Sequence, residues 1–141
     1  MNFEDCEKIR AFRNTKNPFG KKMGIHVEEL RPGYARAVKT VTPEDLNPLG
    51  IPHGGVYFAL ADTACGSAVA AYGTMAVTIN SSFSFLESAE AGSRLTAEAR
   101  ELRGGRICVL EVRVTGEHGE LFAAGTFTFR RLNRKIDLDS L

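Results

Sequence analysis

Asp62 is a lone carboxylate in an otherwise uncharged part of the chain. From Gly54 to Leu86, 33 residues, there is no other Asp, Glu, Lys, Arg or His, although 25% of the whole chain is charged. A carboxylate among apolar and small neighbours costs free energy unless it is paired, neutralised or used in chemistry. The composition alone leaves two interpretations open: a structural carboxylate that bonds nearby backbone, or a catalytic one.

A second feature that could do chemistry is the backbone just before this carboxylate. Gly54 and Gly55 follow His53 and open a segment predicted to be helical over residues 54–72. The first N–H groups of a helix have no intrahelical partner, and the helix dipole adds partial positive charge there. Glycine leaves these groups accessible. The segment therefore predicts a site for an anion, or for the oxyanion that develops during acyl transfer.

The spacing of these two features limits what they can do together within one chain. Asp62 follows Gly54 by eight residues, which is ~12 Å along a straight helix at about 1.5 Å per residue. One carbonyl group cannot lie within about 3 Å of both in a single subunit. Either the features are unrelated, or two copies pair antiparallel so that Asp62 of one subunit faces Gly54 of the other. If the motif is catalytic, we expect the sites to lie at the subunit interface.

The elements that position these groups follow from periodicity and turn residues. Residues 54–72 are apolar nearly all round, which is typical of a buried helix. A short helix is predicted over 3–14, ended by a break at Asn17-Pro18-Phe19-Gly20. Strands are predicted over 23–30, 34–41, 75–86, 94–103, 106–115 and 121–132, the last four linked largely by hairpins.

A buried helix of this length needs a sheet that wraps it, and hairpins favour an antiparallel sheet. We therefore predict a single α+β domain over residues 1–141, with its core over about 20–131. The polar segment 133–141 is expected to be a frayed tail.

Several partner classes are disfavoured. A net charge of +1 gives no electrostatic support for general nucleic-acid binding. The weakly polar stretch 54–86 contains Asp62 and several glycines, so it does not predict a membrane span. The first residues are too charged for a signal peptide.

Cysteine and histidine usage points to a reduced compartment and away from metal. The three cysteines, Cys6, Cys65 and Cys108, are an odd number without a C-x-x-C motif, which predicts free thiols and a cytoplasmic location. The three histidines are equally scattered, so no metal site is expected. Cys65 lies one helical turn from Asp62 but has no other base nearby, and we interpret it as a small buried residue.

Asn47, Gly50, His53-Gly54-Gly55 and Asp62 together read N-x-x-G-x-x-H-G-G-x6-D. This pattern resembles the hotdog-fold acyl-CoA thioesterases, in particular the phenylacetate-pathway (PaaI-like) branch, and the resemblance covers roughly residues 20–131. It implies the hotdog fold, a long central helix wrapped by a five- or six-stranded antiparallel sheet, here with a short N-terminal helix. It also implies homodimers whose sheets join, often paired again into homotetramers.

The resemblance implies roles for five residues. Asp62 is the catalytic carboxylate, acting as nucleophile or as general base on water. The Gly54 N–H polarises the thioester carbonyl across the dimer interface. Asn47 and His53 help to shape and orient the site, and the Thr78 hydroxyl helps to position water.

The implied reaction is hydrolysis of an acyl-CoA thioester to the free acid and CoA. No metal or cofactor is expected, because the thioester is already activated and coenzyme A is part of the substrate. The acyl group stays open between aryl and short- or medium-chain groups. Gly55 is expected to contact the substrate, Tyr57, Phe58 and Phe83 to line the acyl pocket, and Arg103 and Arg106 to bind the CoA phosphates.

Two alternatives belong to other functional classes. A non-catalytic acyl-CoA-binding (sensor) module could use the same fold, but it would normally carry an effector element and would not need the carboxylate. A hotdog hydratase or dehydratase would need a different acid–base arrangement, commonly a carboxylate paired with a histidine. The sequence favours the enzyme with Asp62 at its centre.

Overall fold

The computed structural model describes residues 1–141, which form three α-helices and six strands. Short 3₁₀ turns lie at Pro43–Asp45 and Leu138–Ser140. The helices are α1 (Phe3–Thr15), α2 (Pro18–Met23) and α3 (Gly54–Ala70). The strands are β1 (His26–Arg31), β2 (Tyr34–Thr40), β3 (Thr74–Phe85), β4 (Arg94–Arg103), β5 (Ile107–Thr115) and β6 (Leu121–Lys135).

All strand pairs are antiparallel, in the order β1-β2-β4-β5-β6-β3. This confirms the α+β architecture with a six-stranded sheet. The prediction of hairpin links holds for β4 to β5 and β5 to β6. The link from β3 to β4 is not a hairpin, because β3 pairs only with β6 at the far edge of the sheet. The connection from β3 to β4 therefore crosses the sheet, and β3 keeps one unpaired edge.

The centre of the core is α3, as its apolar composition predicts. Leu60, Ala61, Ala64, Cys65 and Ala68 have no exposed surface. Small side chains let the sheet approach the helix closely, and dense packing at this contact stabilises the fold. The helix ends at Ala70, two residues before the predicted end, and Gly73 follows with a φ of 87°. None of the helices is long and apolar enough to cross a membrane.

The two ends of the chain differ from the prediction. α1 ends at Thr15, before the predicted break, but the breaking segment itself begins a second helix. Asn17 caps that helix by accepting a hydrogen bond from the Gly20 N–H (3.1 Å), and Pro18 fits its first turn. The polar tail is only partly frayed, because β6 runs to Lys135 rather than residue 132. Ile136 is 8% exposed and its N–H donates to the Gly73 carbonyl at 2.9 Å.

A buried ion pair holds the loop that leads into α3. Lys39 Nζ lies 3.0 Å from Asp45 Oδ2, with side chains that are only 3% and 8% exposed. Lys39 also donates to the Met23 carbonyl, and the Thr42 N–H donates to Asp45 Oδ2 at 2.7 Å. The Asp45 carbonyl accepts from the His53 N–H at 2.9 Å. The pair therefore fixes the start of α3 relative to β2.

We expect Asp45→Asn to lower the free energy of unfolding by about 3–5 kcal/mol, because it leaves the Lys39 ammonium buried without a counter-charge. Burial opposes ionisation of Asp45, but the Thr42 N–H and Lys39 outweigh it and lower the pKa of this carboxyl. The stabilisation is thus present above about pH 3.9, the unfolded value, and is lost as the pH falls through the lower folded pKa. Urea unfolding at several pH values measures both effects.

The control for this variant is Glu44→Gln at the neighbouring exposed position, which is expected to leave the urea midpoint within experimental error. Equal stability of Asp45→Asn and the wild type at neutral pH would contradict a stabilising role for the ion pair.

Candidate active site

One face of α3 remains open although the rest of the helix is buried. The residues that are not buried are Gly54, Gly55, Phe58, Asp62 and Gly66. From Gly55 onward their spacing of three and four places them in one stripe along the helix. We call this stripe the open face of α3. Asp62 lies at its middle and is only partly buried, so the fully buried carboxylate that the sequence suggested is replaced by one at the wall of a cleft.

Thr78 on β3 orients the Asp62 carboxylate. Its hydroxyl donates a hydrogen bond to Asp62 Oδ1 at 2.7 Å. No other hydrogen bond within the chain reaches the Asp62 side chain, so Oδ2 stays available. The structure thus brings together the predicted carboxylate and the predicted hydroxyl, 16 residues apart in sequence.

His53 caps α3 and determines which backbone donor stays free. Its Nδ1 accepts from the Gly55 N–H at 2.8 Å, and its carbonyl accepts from the Val56 N–H at 2.9 Å. The Gly54 N–H precedes the first intrahelical hydrogen bond, so it has no partner inside the helix. The N–H groups of Gly55 and Val56 are therefore used by His53, whereas that of Gly54 is available to a ligand.

Asn47 is used within its own loop. Its Oδ1 accepts from the Leu49 N–H at 2.9 Å and from the Ile51 N–H at 3.3 Å. Gly50 closes the same turn with a φ of 78°, which favours glycine. Asn47 thus shapes the loop that precedes the helix start and does not contact Asp62 of the same chain; a direct catalytic role for it stays a prediction.

Two clefts meet at Asp62. The inner cleft, about 450 Å³, runs along α3 toward its C-terminal end between α1 and β3. The outer cleft, about 380 Å³, runs toward the helix start and is lined by Gly55 and Phe58. Asp62 and Arg13 line both clefts. A ligand whose reacting carbon lies at Asp62 can therefore extend in both directions, one part in each cleft.

The aromatic residues predicted for the acyl site separate into two groups. Phe58 lines the outer cleft, and Phe83 packs edge-on against it with ring centroids 5.8 Å apart. Tyr57 instead belongs to the core: it is buried, and its hydroxyl accepts from the Ala89 N–H at 2.9 Å. This bond anchors the connection from β3 to β4, and Tyr57 lines neither cleft of its own chain.

Arg103 and Arg106 do not join the site within one chain. Both are exposed at the β4–β5 hairpin. The Tyr72 hydroxyl, just beyond the C-terminal end of α3, donates to Glu101 near that hairpin at 2.5 Å. Tyr72 follows Asp62 by ten residues, roughly 15 Å of helical rise. Contact of these arginines with CoA phosphates stays a prediction.

The sequence interpretation missed Arg13. This residue lies on α1, and its Nε donates to the Ser67 Oγ on α3 at 2.7 Å. One signal was present: Cys6 and Ile9, both buried, precede it at a spacing that repeats along one helix face. An arginine on the apolar face of a helix indicates a charge carried into the interior, here into the Asp62 clefts.

Cys65 is fully buried, which agrees with the prediction that it is a core residue. Burial raises the pKa of its thiol well above the usual value, and the negative charge of Asp62 raises it further. The thiolate, which is the nucleophilic form, is therefore scarce at neutral pH. Cys65 is therefore a poor candidate for a nucleophile.

Comparison with known proteins gives consistent results. A family model described as the thioesterase superfamily matches residues 49–123. The acyl-coenzyme A thioesterase PaaI of Escherichia coli K12 is 37% identical over 86 residues, 61% of this chain and 61% of that protein. The solved structure of the E. coli PaaI protein from the phenylacetic acid degradation operon has a TM-score of 0.87 at 28% identity, covering 95% of this chain and 98% of that one.

A second solved structure contains a bound ligand. A thioesterase protein with coenzyme A from Streptococcus pneumoniae TIGR4 has a TM-score of 0.75 at 29% identity, covering 80% of this chain and 91% of that one. The family match includes the stretch that contains Gly54, Asp62 and Thr78.

Proposed function

The chain belongs to the thioesterase superfamily, in the PaaI-like branch of the hotdog-fold thioester hydrolases, and on that premise we propose that it hydrolyses acyl-CoA thioesters to the free acid and coenzyme A. One observation carries the proposal: a carboxylate oriented by Thr78 (2.7 Å) lies on the open face of α3, and the Gly54 N–H at the start of the same helix has no hydrogen-bond partner within the chain. These are the two groups that acyl transfer needs, a nucleophile or base and an oxyanion donor.

In the proposed reaction the Gly54 N–H binds the thioester carbonyl oxygen. Asp62 then acts by one of two routes. As a nucleophile, it attacks the carbonyl carbon, the C–S bond breaks to release the CoA thiolate, and water hydrolyses the mixed anhydride. As a general base, it takes a proton from water while the hydroxide attacks, and collapse of the tetrahedral intermediate expels the same thiolate. Both routes need the Asp62 Oδ2 that Thr78 leaves free.

The proposed site combines two copies of the chain. Within one copy, Gly54 and Asp62 are ~12 Å apart along α3, too far for one carbonyl. The unpaired edge of β3 offers the surface for a second copy, because it is next to Asp62 and exposes the apolar side chains Val77 (43%) and Ile79 (51%). An exposed apolar edge strand is a template for strand pairing. We therefore propose a homodimer as the active unit; the homotetramer stays a prediction from the resemblance alone.

The proposed reaction uses only water and the acyl-CoA. A thioester is an activated acyl group, so the chemistry requires no metal or cofactor beyond the donors already described. The S. pneumoniae relative bound to coenzyme A supports the choice of CoA as the leaving group. The open face with Phe58 and the apolar inner cleft support an acyl group of aryl or short- to medium-chain size.

Release of free thiol from a panel of short, medium and aryl acyl-CoA substrates tests this function. We expect hydrolysis of at least one substrate with kcat/KM of about 10⁴ M⁻¹s⁻¹ or higher, the usual range for enzymes. Binding of acyl-CoA, followed by calorimetry, without any thiol release would instead support the acyl-CoA-binding sensor and contradict the hydrolase.

A further inference from the structure

Arg13 is held firmly between α1 and α3. It is partly buried, and its Nε donates to Ser67 Oγ at 2.7 Å. Its Nη2 lies 3.5 Å from the Thr63 carbonyl oxygen, and Nη1 makes no hydrogen bond within the chain. The guanidinium group is therefore fixed in place while some of its N–H donors remain free.

The chain forms eight ion pairs, and Arg13 takes part in none of them. No carboxylate oxygen lies within 4.0 Å of its guanidinium nitrogens. Burial lowers the pKa of Arg13, and the negative charge of Asp62 raises it again only in part. Arginine nevertheless stays protonated in proteins. A cation kept in a cleft without a bonded counter-charge costs free energy, which an anionic ligand would recover.

The contacts of Arg13 with α3 give its separation from Asp62 along that helix. Arg13 Nη2 lies 3.1 Å from the place where a Cβ on Gly66 would stand. Gly66 follows Asp62 by four residues, one helical turn or roughly 6 Å along α3. The guanidinium therefore lies about one turn beyond the carboxylate along α3, where it forms part of the wall of the inner cleft as well as of the outer one. The missing side chain at Gly66 is what leaves room for it.

The remaining surface of the inner cleft is mostly apolar. Met75, Val77, Phe129 and Ile136 line it, with Ala70 at its far end. An acyl chain whose thioester carbon lies at Asp62 would extend over Gly66 along the inner cleft, whose apolar side chains would contact its methylene groups. It would meet Arg13 after about four or five carbons, because extended methylene chains advance by roughly one turn of helix over that length.

We propose that Arg13 binds a carboxylate at the distal end of the acyl group, so that the preferred substrates are CoA monothioesters of short dicarboxylic acids. The inference rests on the proposed thioesterase function and deepens it. A guanidinium–carboxylate contact is a charge-assisted hydrogen bond and is often bidentate. A neutral acyl chain of the same length leaves Arg13 without a counter-charge, and a site built for a polar group rejects the analogue that lacks it.

The test compares glutaryl-CoA with pentanoyl-CoA, which have the same five-carbon chain with and without the terminal carboxylate. For the wild type we expect kcat/KM to be about 10- to 100-fold higher with glutaryl-CoA. Arg13→Met should remove this preference, mainly by lowering the glutaryl-CoA value, and Arg13→Lys should keep part of it. Arg10→Met, on the same helix but paired with Glu7 at 2.8 Å, is the matched control and should leave the ratio unchanged.

The outcomes separate the inference from the function on which it rests. A wild type that hydrolyses pentanoyl-CoA as well as glutaryl-CoA overturns the inference and keeps the thioesterase, and this comparison needs no variant to fold. Equal losses on both substrates in Arg13→Met, with a displaced pH profile of kcat, would also overturn it, because Arg13 would then act through Asp62. A wild type that releases no thiol from any acyl-CoA overturns the function itself and the inference with it.

Discussion

Asp62→Asn is expected to lower kcat/KM for the preferred acyl-CoA by on the order of 10²-fold or more, at least ~3 kcal/mol of transition-state stabilisation. The amide has nearly the same shape as the carboxylate, and its Oδ1 can still accept the Thr78 hydroxyl that now donates at 2.7 Å. The variant therefore removes the negative charge and the basic oxygen while keeping the local packing. Thiol release at saturating and limiting substrate separates kcat from KM.

The matched control is Asp139→Asn, which removes an exposed aspartate near the C-terminus and should leave kcat/KM unchanged. Circular dichroism and thermal unfolding check that both variants fold. Acyl-CoA binding should survive in Asp62→Asn, since the carboxylate is assigned to the chemistry rather than to affinity. A folded Asp62→Asn protein that keeps more than half of the wild-type rate would remove Asp62 from the mechanism.

The central helix and several strands could be predicted because their signals are local. The strand Arg94–Arg103 has the predicted bounds, and α3 begins at the predicted Gly54. Alternating side chains and turn glycines are read within one segment, so they do not depend on the rest of the fold. The position of β3 could not be predicted in this way, because its pairing with β6 joins residues that are 38 (Phe85 and Ala123) to 61 (Thr74 and Lys135) positions apart, which hairpin signals do not encode.

The same distinction separates the two halves of the candidate site. A helix start followed by a carboxylate eight residues later is a local sequence motif, so Gly54 and Asp62 could be predicted as candidate site residues. Arg13 lies 49 residues before Asp62, and nothing in the sequence says that α1 packs against this face of α3. Its spacing from Ile9 indicates only that it faces the interior; the partner across the contact, Ser67, appears only in the folded structure.

Gly54→Pro is expected to reduce kcat by about 10²–10³-fold, the usual effect of removing one oxyanion donor. Proline lacks the N–H but fits the first position of a helix. The preceding residue, His53, already has φ −59° and ψ 140°, a conformation that a following proline favours. The substitution therefore deletes the proposed donor with little change to α3.

Gly54→Ala is the matched control, because it adds the same Cβ, 3.3 Å from the exposed Phe85 ring, and keeps the N–H. We expect it to retain most of the activity. Equal losses in the alanine and proline variants would assign the effect to crowding by the side chain rather than to the missing donor. Size-exclusion chromatography of both variants checks that the homodimer persists.

Mixing the two inactive variants tests whether each site is shared between subunits. A heterodimer of Asp62→Asn with Gly54→Pro contains one site with Asp62 and Gly54 both intact, supplied by different chains, and one site with neither. Random exchange makes about half of the dimers mixed, so activity should recover to about a quarter of the wild-type value. If both groups acted within one chain, every site in the mixture would lack one of them and no activity would return. If the mixture regains thioesterase activity while each variant alone has none, the Gly54 N–H and the Asp62 carboxylate that act on one thioester must come from two copies of the chain.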